Sequence, residues 1–255
     1  PINPFIRHDI DLGGNIMKEK AADVASRLAD IFSHVYDFGD QQSSAVFTAI
    51  LSGINRHGDK MNMTYFRAEL EELQEDNKVA KTVISKMNPF FQSISFENDS
   101  DFDWGDVLYG TDSEINIFQL TGINREMQVI ITELMLWDAW YYTKKYGNKD
   151  KPFVVVLDEA QNLSHKKSSP SAVILTEGRK FGWSAWFATQ SLKILKEDEV
   201  VRLSQAAFKL YFKPTDDEVV KIARQLDPTG ESNWTAEVKG LKKGQCIVAG
   251  KKIKN

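Results

Sequence analysis

The sequence predicts an α/β fold in which a mostly parallel sheet is flanked by helices. Short apolar runs alternate along the chain with longer segments in which apolar residues recur every three or four positions. The run Phe153–Leu157 is uninterrupted, as is typical of a strand buried on both faces of a parallel sheet. Hydrophobic residues make up 42% of the 255 residues, which is enough for a folded core. We therefore expect one domain over 1–255, with a helical and acidic insertion at approximately 55–114.

The N-terminal half is predicted to be mainly helical. Residues 2–5 are typical of the end of a strand that leaves the core. Apolar residues at three-four spacing predict helices at 18–35, 41–54, 64–73 and 79–87. Residues 97–114 contain seven acidic and no basic side chains, and this composition predicts a solvated loop.

The C-terminal half is predicted to alternate between strands and helices. Apolar runs rich in β-forming residues predict strands at 115–121, 153–157, 183–189, 206–212 and 245–249. Helices are predicted at 124–146, 169–180 and 215–226. The second of these helices begins with Ser169 and Pro170, and the third with a capping box of Thr215 and Glu218.

The charge and cysteine content exclude several classes of protein. The 32 basic and 36 acidic residues give a net charge of −4, which argues against a protein coated in positive charge, such as a histone-like DNA binder. The single cysteine, Cys246, excludes an internal disulfide framework and a cysteine-rich zinc site. No apolar run reaches the roughly 18–20 residues of a membrane span. We therefore expect a cytoplasmic protein with no membrane partner.

Two acidic residues follow the apolar strand at 153–157. In a parallel sheet, Asp158 and Glu159 would lie at the carboxyl end of their strand, where ligands of open α/β sheets bind. This is the arrangement of a Walker B motif. Asp158 would hold Mg²⁺, usually through water, and Glu159 would polarise the water that attacks the γ-phosphate of ATP. The alternative is a strand that ends in a solvated acidic turn.

Polar residues also follow the next strand, which ends in Thr189 and Gln190. An amide at the tip of a neighbouring strand can contact both the γ-phosphate and the attacking water. Gln190 is therefore the predicted sensor. The predicted nucleotide-binding residues are Asp158, Glu159, Thr189 and Gln190. The alternative is a glutamine that only caps a strand.

Arg179 lies between these two strands in the sequence. A guanidinium can stabilise the charge on a transferring phosphoryl group from a neighbouring subunit, so Arg179 is a candidate catalytic finger and Arg202 is another. The alternative is that both are surface cations that complement the negative ends of their helices.

The phosphate-binding loop G-x-x-x-x-G-K-[ST] is not found in the 255 residues. The nearest match starts at Gly53, but its lysine, Lys60, comes one position late and no serine or threonine follows. Since the chain also begins at Pro1 rather than at a methionine, we expect the loop to lie upstream of this sequence. We therefore predict that binding of ATP and Mg²⁺ requires upstream residues, and that this chain alone binds ATP weakly or not at all.

Positive charge is concentrated in two places. Lys166 and Lys167 follow the acidic pair, and residues 239–255 contain six lysines and no acidic side chain. Both are candidate contacts for DNA phosphates. The alternative for 239–255 is a solvated basic tail.

An ordered set of segments resembles the HerA/FtsK-type P-loop ATPases. The segments are INPF (2–5), IFQL (117–120), VVVLDEAQ (154–161), EGRKFG (177–182), ATQS (188–191) and GQCIV (244–248). The resemblance spans nearly the whole chain and implies a RecA-like P-loop NTPase core, of which this sequence is the part after the Walker A helix. It also implies a DNA-dependent motor that works as a hexameric ring on double-stranded DNA. Within the family, the sequence is similar to the DptH-like ATPases of phosphorothioation-dependent DNA restriction, which implies restriction-system protein partners.

Two other functions are left open by the residues. The sequence DEAQ at 158–161 also resembles motif II of two-lobed DEAD/DEAH-like helicases, although too few residues follow Gln190 for a second lobe. The missing phosphate loop favours a non-catalytic P-loop-like scaffold. A phosphate loop upstream of this sequence would decide for the motor.

Overall fold

The fold is mixed α/β, as the sequence predicts. The structure, a computed structural model, describes residues 3–11, 13–93, 102–110, 115–230 and 232–250. The strands in these ranges are β1 (Asp9–Asp11), β2 (Ile16–Lys18), β3 (Phe153–Leu157), β4 (Trp183–Phe187), β5 (Phe208–Phe212) and β6 (Cys246–Gly250). The helices are α1 (Ala21–Tyr36), α2 (Asp40–His57), α3 (Met63–Asp76), α4 (Lys78–Ser93), α5 (Trp104–Tyr109), α6 (Arg125–Tyr146), α7 (Pro170–Glu177), α8 (Glu197–Leu203), α9 (Val219–Leu226) and α10 (Trp234–Gly240).

The chain divides into two compact units. Unit 1 contains residues 1–155 and 162–185, and unit 2 contains residues 156–161 and 186–255. The prediction of one domain with an insertion at approximately 55–114 is not tested by this division and stays a prediction.

The core of unit 1 is formed by helices α1 to α4 together with α6. Phenylalanine rings fill its centre, where the ring of Phe32 lies 5.8 Å from Phe66 and 5.3 Å from Phe90 between centroids. Aromatic rings at these separations pack favourably as well as burying a large apolar area. The three-four spacing that predicts these helices therefore corresponds to the side chains that the helices bury.

Helix α1 ends in a residue with left-handed backbone conformation. Asp37, at its C-terminal cap, has φ of +49° and is exposed to solvent. Glycine adopts this conformation without the Cβ clash of other residues. We expect D37G to raise the free energy of unfolding by about 0.5–1 kcal/mol, measured by urea unfolding. The control is D40G in the first turn of α2, which should lower it; a lower stability for D37G would contradict the prediction.

A buried ion pair links the segment after β2 to helices α1 and α6. Arg27 donates to Glu19, and Tyr141 donates its hydroxyl hydrogen to Glu19 Oε1 at 2.6 Å. Only 1% of Glu19 is exposed. The guanidinium of Arg27 also lies 5.5 Å from the centroid of the Trp137 ring. Charges removed from water need such partners, so this network fixes where the N-terminal segment meets the helices.

A second buried polar network holds residues 163–171 against α6. Ser164 N donates to Glu133 Oε1 at 2.7 Å, and Ser171 donates its hydroxyl hydrogen to Ser164 O at 2.7 Å. Because that hydrogen is used, His165 Nδ1 is the donor in its 2.8 Å bond to Ser171 Oγ. Ser169 caps α7 by accepting from Ala172 N. The chain just beyond the acidic pair is therefore anchored inside unit 1.

The sheets differ from the sequence-based prediction. Strands β3 and β4 form a two-stranded sheet, in which Phe153 N donates to Gly182 O and Ala188 N donates to Leu157 O. The first bond joins the start of β3 to the start of β4, and the second joins their ends, so the two strands run parallel. The pairs β1–β2 and β5–β6 are antiparallel. The predicted mostly parallel RecA-like sheet is therefore not confirmed.

The predicted double-sided burial of β3 is wrong for this structure. Val154 and Val156 are 58% and 62% exposed, and Trp186 on β4 is 62% exposed. The uninterrupted run shows only that these side chains are apolar. Whether they are buried depends on the elements that cover the sheet.

Several local predictions also need correction. Residues 115–121 form no strand, and Ile115 and Ile117 are exposed, because a strand requires a hydrogen-bonded neighbour. Residues 3–5 form a turn rather than a strand end, while Ile2 lies outside the described residues. Within the predicted acidic loop, Asp103 caps the short helix α5, while residues 97–101 and 111–114 are outside the described ranges.

Unit 2 contains the antiparallel pair β5–β6 together with α9 and α10. Val219, Ile222 and Val238 form its small apolar cluster, against which Tyr211 of β5 and Ile247 of β6 pack. Helix α9 begins at Val219, with no side-chain cap bond, so the predicted capping box of Thr215 and Glu218 does not form.

In the described ranges, no helix is both long enough and apolar enough to cross a bilayer.

Candidate functional site

The segments that follow β3 and β4 lie side by side within unit 2. Ala188 N donates to Leu157 O at 2.9 Å, and Ala160 N donates to Ala188 O at 2.8 Å. These bonds continue the pairing of the strands past their carboxyl ends. The acidic pair after β3 and the polar residues after β4 are therefore neighbours, as expected of a ligand-binding edge in an α/β fold.

The carboxylate of Glu159 accepts hydrogen bonds from two glutamine side chains. Gln190 Nε2 donates to Glu159 Oε1, and Gln161 Nε2 donates to Glu159 Oε2 at 2.5 Å. The side chain of Gln161 has a second contact, because its Oε1 accepts from Gln190 N at 3.3 Å. Glu159 is half-buried, whereas Gln190 is exposed. The predicted pair of Glu159 and Gln190 is thus in direct contact.

The backbone of Glu159 is in the left-handed region, with φ of +52°. Residues other than glycine adopt this conformation at a cost of roughly 1–2 kcal/mol, and such residues cluster at functional sites. The Glu159 amide donates to Asp158 Oδ1 at 2.9 Å, which turns the chain sharply after the strand. This turn directs the side chain of Glu159 to the amides of Gln161 and Gln190.

Asp158 is exposed at the end of β3, as its predicted role requires. Carboxylate oxygen is the donor type that Mg²⁺ prefers, and Mg²⁺ usually keeps several waters beside one or two carboxylates and the substrate phosphates. No group of three or more His, Cys, Asp or Glu side chains that could hold a metal is found in the part of the chain that the structure describes. An exposed carboxylate at this position fits a magnesium ion that would be held by Asp158 together with water and phosphate.

The segment after Gln190 is held by a residue that sequence reasoning missed. Glu218 is 5% exposed, and its Oε1 accepts from Leu192 N at 2.9 Å and from Ser191 Oγ at 3.0 Å. Thr189 is exposed and donates its hydroxyl hydrogen to Ser191 O at 3.0 Å. The sequence predicts Glu218 as part of a helix capping box, whereas in the structure its carboxylate supports the loop that carries Thr189 and Gln190.

The two candidate arginines lie in different units. Arg179 is exposed in the short 3-10 turn Gly178–Phe181 of unit 1. Arg202 is in α8 of unit 2, where it forms an ion pair with Asp198. The role of Arg179 as a finger stays a prediction.

The rejected match to a phosphate loop is helical in the structure. Gly53 lies inside α2, and Gly58 begins the 3-10 turn Gly58–Lys60. A phosphate-binding loop needs consecutive amides that point at the ligand, and in a helix interior these amides are bonded to carbonyls. The structure therefore agrees with the rejection.

The fold is similar to those of several solved structures. No family model and no curated protein matches the sequence. The fold is similar to that of VirB4 of Thermoanaerobacter pseudethanolicus, with a TM-score of 0.60 and 16% identity over 99% of this chain and 74% of that chain. At this identity the likeness shows the fold alone.

Proposed function

We propose that this chain is the hydrolytic part of an ATP-driven motor of the HerA/FtsK type that moves or remodels DNA. The contact of Glu159 with Gln190 at the ends of two parallel strands carries the proposal. A solvated acidic turn needs no amide from the neighbouring segment, whereas a hydrolytic site needs a carboxylate and an amide within reach of one water molecule. The similarity of the fold to that of VirB4 supports the same conclusion.

Each residue of the site has a proposed role. Asp158 would hold Mg²⁺, which neutralises charge on the phosphates when bound. Glu159 accepts a proton from the attacking water, and Gln190 donates its amide hydrogens to the water and to the terminal phosphate. Thr189 binds nucleotide at the start of the same loop.

The phosphates of ATP need further donors, which we propose come from a segment outside these 255 residues. The sequence contains no phosphate loop. The exposed apolar face of Val154, Val156 and Trp186 supports the proposal, because parallel strands are normally covered on both faces. Arg179 would act on the site of a neighbouring copy in a hexameric ring, the assembly that the resemblance to HerA/FtsK-type ATPases implies.

DNA is the proposed substrate of the motor, and DNA restriction is its proposed setting. Lys166 and Lys167 are exposed beside the buried polar network of unit 1, and Lys239, Lys242 and Lys243 are exposed in unit 2. Lysine clusters of this kind bind phosphates without reading sequence.

The proposal is tested by ATP turnover of the complete polypeptide that contains these residues. We expect Mg²⁺-dependent hydrolysis that increases with double-stranded DNA, and weak or no ATP binding by the 255-residue chain in calorimetry. D158N should abolish turnover because it weakens magnesium binding, whereas the control D216N changes an exposed carboxylate of unit 2 and should not. Tight ATP binding by the 255-residue chain would contradict the proposed division of the site.

A non-catalytic scaffold is the second candidate function, and the missing phosphate loop favours it. The same experiment separates the two functions. A complete polypeptide that binds its partners but hydrolyses no ATP would favour the scaffold.

A further inference from the structure

The side chain of Gln161 joins the two segments of the proposed site. Its Nε2 donates to Glu159 Oε2 at 2.5 Å, while its Oε1 accepts from the backbone amide of Gln190 at 3.3 Å. A carboxamide offers both a donor and an acceptor in one planar group. A methionine at position 161 would have neither the donor nor the acceptor, and a glutamate would keep the acceptor but lose the donor.

Gln161 is placed for this role by its backbone. The amide of its neighbour Ala160 donates to Ala188 O at 2.8 Å, and residues 160–162 form a 3-10 turn. Gln161 is half-buried, in contrast to the exposed Gln190. The more protected amide is therefore the one that contacts both segments.

The two glutamine amides that contact Glu159 cannot have the same role. Gln190 is the residue proposed to meet the terminal phosphate, so its bond to Glu159 Oε1 competes with a ligand. The bond from Gln161 to Oε2 has no such competitor, because its other end is tied to the chain at Gln190 N. If the Gln190 side chain turned to a phosphate, Gln161 would still hold the carboxylate.

We propose that Gln161 is a positioning residue of the hydrolytic site, an inference that rests on the proposed function. The side-chain amide of Gln161 fixes the direction of the Glu159 carboxylate, and without this contact the left-handed backbone of Glu159 would relax. The same amide fixes the backbone of the loop that carries Gln190. One oxygen of Glu159 thus remains oriented while the other is freed for water. Gln161 itself touches neither water nor phosphate in this role.

The contact is tested first on the 255-residue chain, without ATP. In ¹⁵N–¹H spectra, Q161M should shift the backbone amide resonance of Gln190, and E159Q should shift the side-chain amide resonances of both Gln161 and Gln190. The control Q205M, at an exposed glutamine of unit 2, should leave these resonances unchanged. Unchanged Gln190 resonances in folded Q161M would overturn the inference.

The positioning role is tested on ATP turnover by the complete polypeptide. Q161M should lower kcat by roughly tenfold to a hundredfold with KM for ATP within about a factor of two, because orientation and not binding is lost. Q161E, which places a like charge beside Glu159, should lower kcat at least as much and serves if Q161M fails to fold. A wild-type kcat in either folded variant would overturn the inference.

The two proposals fail in different ways. If E159Q leaves turnover unchanged, the proposed function is wrong, and Gln161 then positions no catalytic group. If E159Q abolishes turnover while Q161M and Q161E do not affect it, the function stands and the positioning role is wrong.

Discussion

E159Q should lower ATP turnover of the complete polypeptide on the order of 10²–10⁴-fold, while ATP binding is retained. The substitution keeps the size of the side chain and removes only the carboxylate that accepts a proton from water, and general bases contribute factors of this size. The phosphates and Mg²⁺ are held by other groups, so the Kd for ATP should stay within a few-fold of its wild-type value. Turnover is measured by phosphate release and binding by calorimetry.

The control for this prediction is E197Q, which replaces an exposed glutamate in the first turn of α8. It makes the same chemical change at an exposed position of unit 2 and should leave turnover unchanged. In E159Q the new amide nitrogen would face the side-chain amide donor of Gln161 or Gln190, and this contact could destabilise the fold. Circular dichroism therefore has to verify that the variant is folded. Turnover at the wild-type rate in folded E159Q would remove Glu159 from the proposed chemistry.

E133Q should remove a large pH dependence of stability. Glu133 is 1% exposed on α6, and burial raises its pKa to about 8, against the opposing effect of the hydrogen bond from Ser164 N. Its Oε2 has no hydrogen-bond partner among the described residues. The folded protein therefore retains a proton that the unfolded chain releases near the ordinary carboxyl pKa of about 4.5.

The sign of the effect follows from this difference in protons. The contribution of Glu133 to stability is fully present below about pH 4.5, decreases as the pH rises towards about 8, and is lost above it. The total loss is on the order of 3–5 kcal/mol. The amide of E133Q stays neutral and still accepts from Ser164 N, so the variant should be the more stable protein at pH 8 and similar to wild type at pH 5.

Urea unfolding between pH 5 and pH 9 measures this difference. Other titrating groups cancel when the variant is subtracted from the wild type. E126Q, an exposed glutamate in the first turn of the same helix, is the matched control, and its difference curve should be flat. A flat curve for E133Q would mean that Glu133 is ionised in the folded protein throughout.

The helices show how far local sequence patterns reach. The apolar spacing of α1 and α6 and the Ser169–Pro170 start of α7 predict these elements correctly, because each depends on residues within a few turns. The prediction of a strand at 115–121 is wrong because a strand depends on more than its own residues. Its residues favour an extended chain, but a strand also needs a partner, and local propensity carries no information about partners.

The site was predicted only in part. The positions of Asp158, Glu159 and Gln190 after apolar runs predict that they meet, and the structure brings Gln190 to Glu159. Gln161 and Glu218 were not predicted to support the site. Their roles depend on the distance to Gln190 N and to Leu192 N, which belong to segments about 30 residues away in the chain.

Glu133 lies beyond any pattern in the sequence, since a glutamate in an amphipathic helix is expected to be solvated. The α/β class, the long helices and the acidic pair after an apolar strand follow from residue type and short-range spacing, so the sequence predicts them. The pairing of the strands, the exposure of their apolar faces and the amides that contact Glu159 are known only from the folded structure. Those outcomes depend on contacts between segments that are distant in the chain, and the free energy of such contacts is a property of the packed molecule.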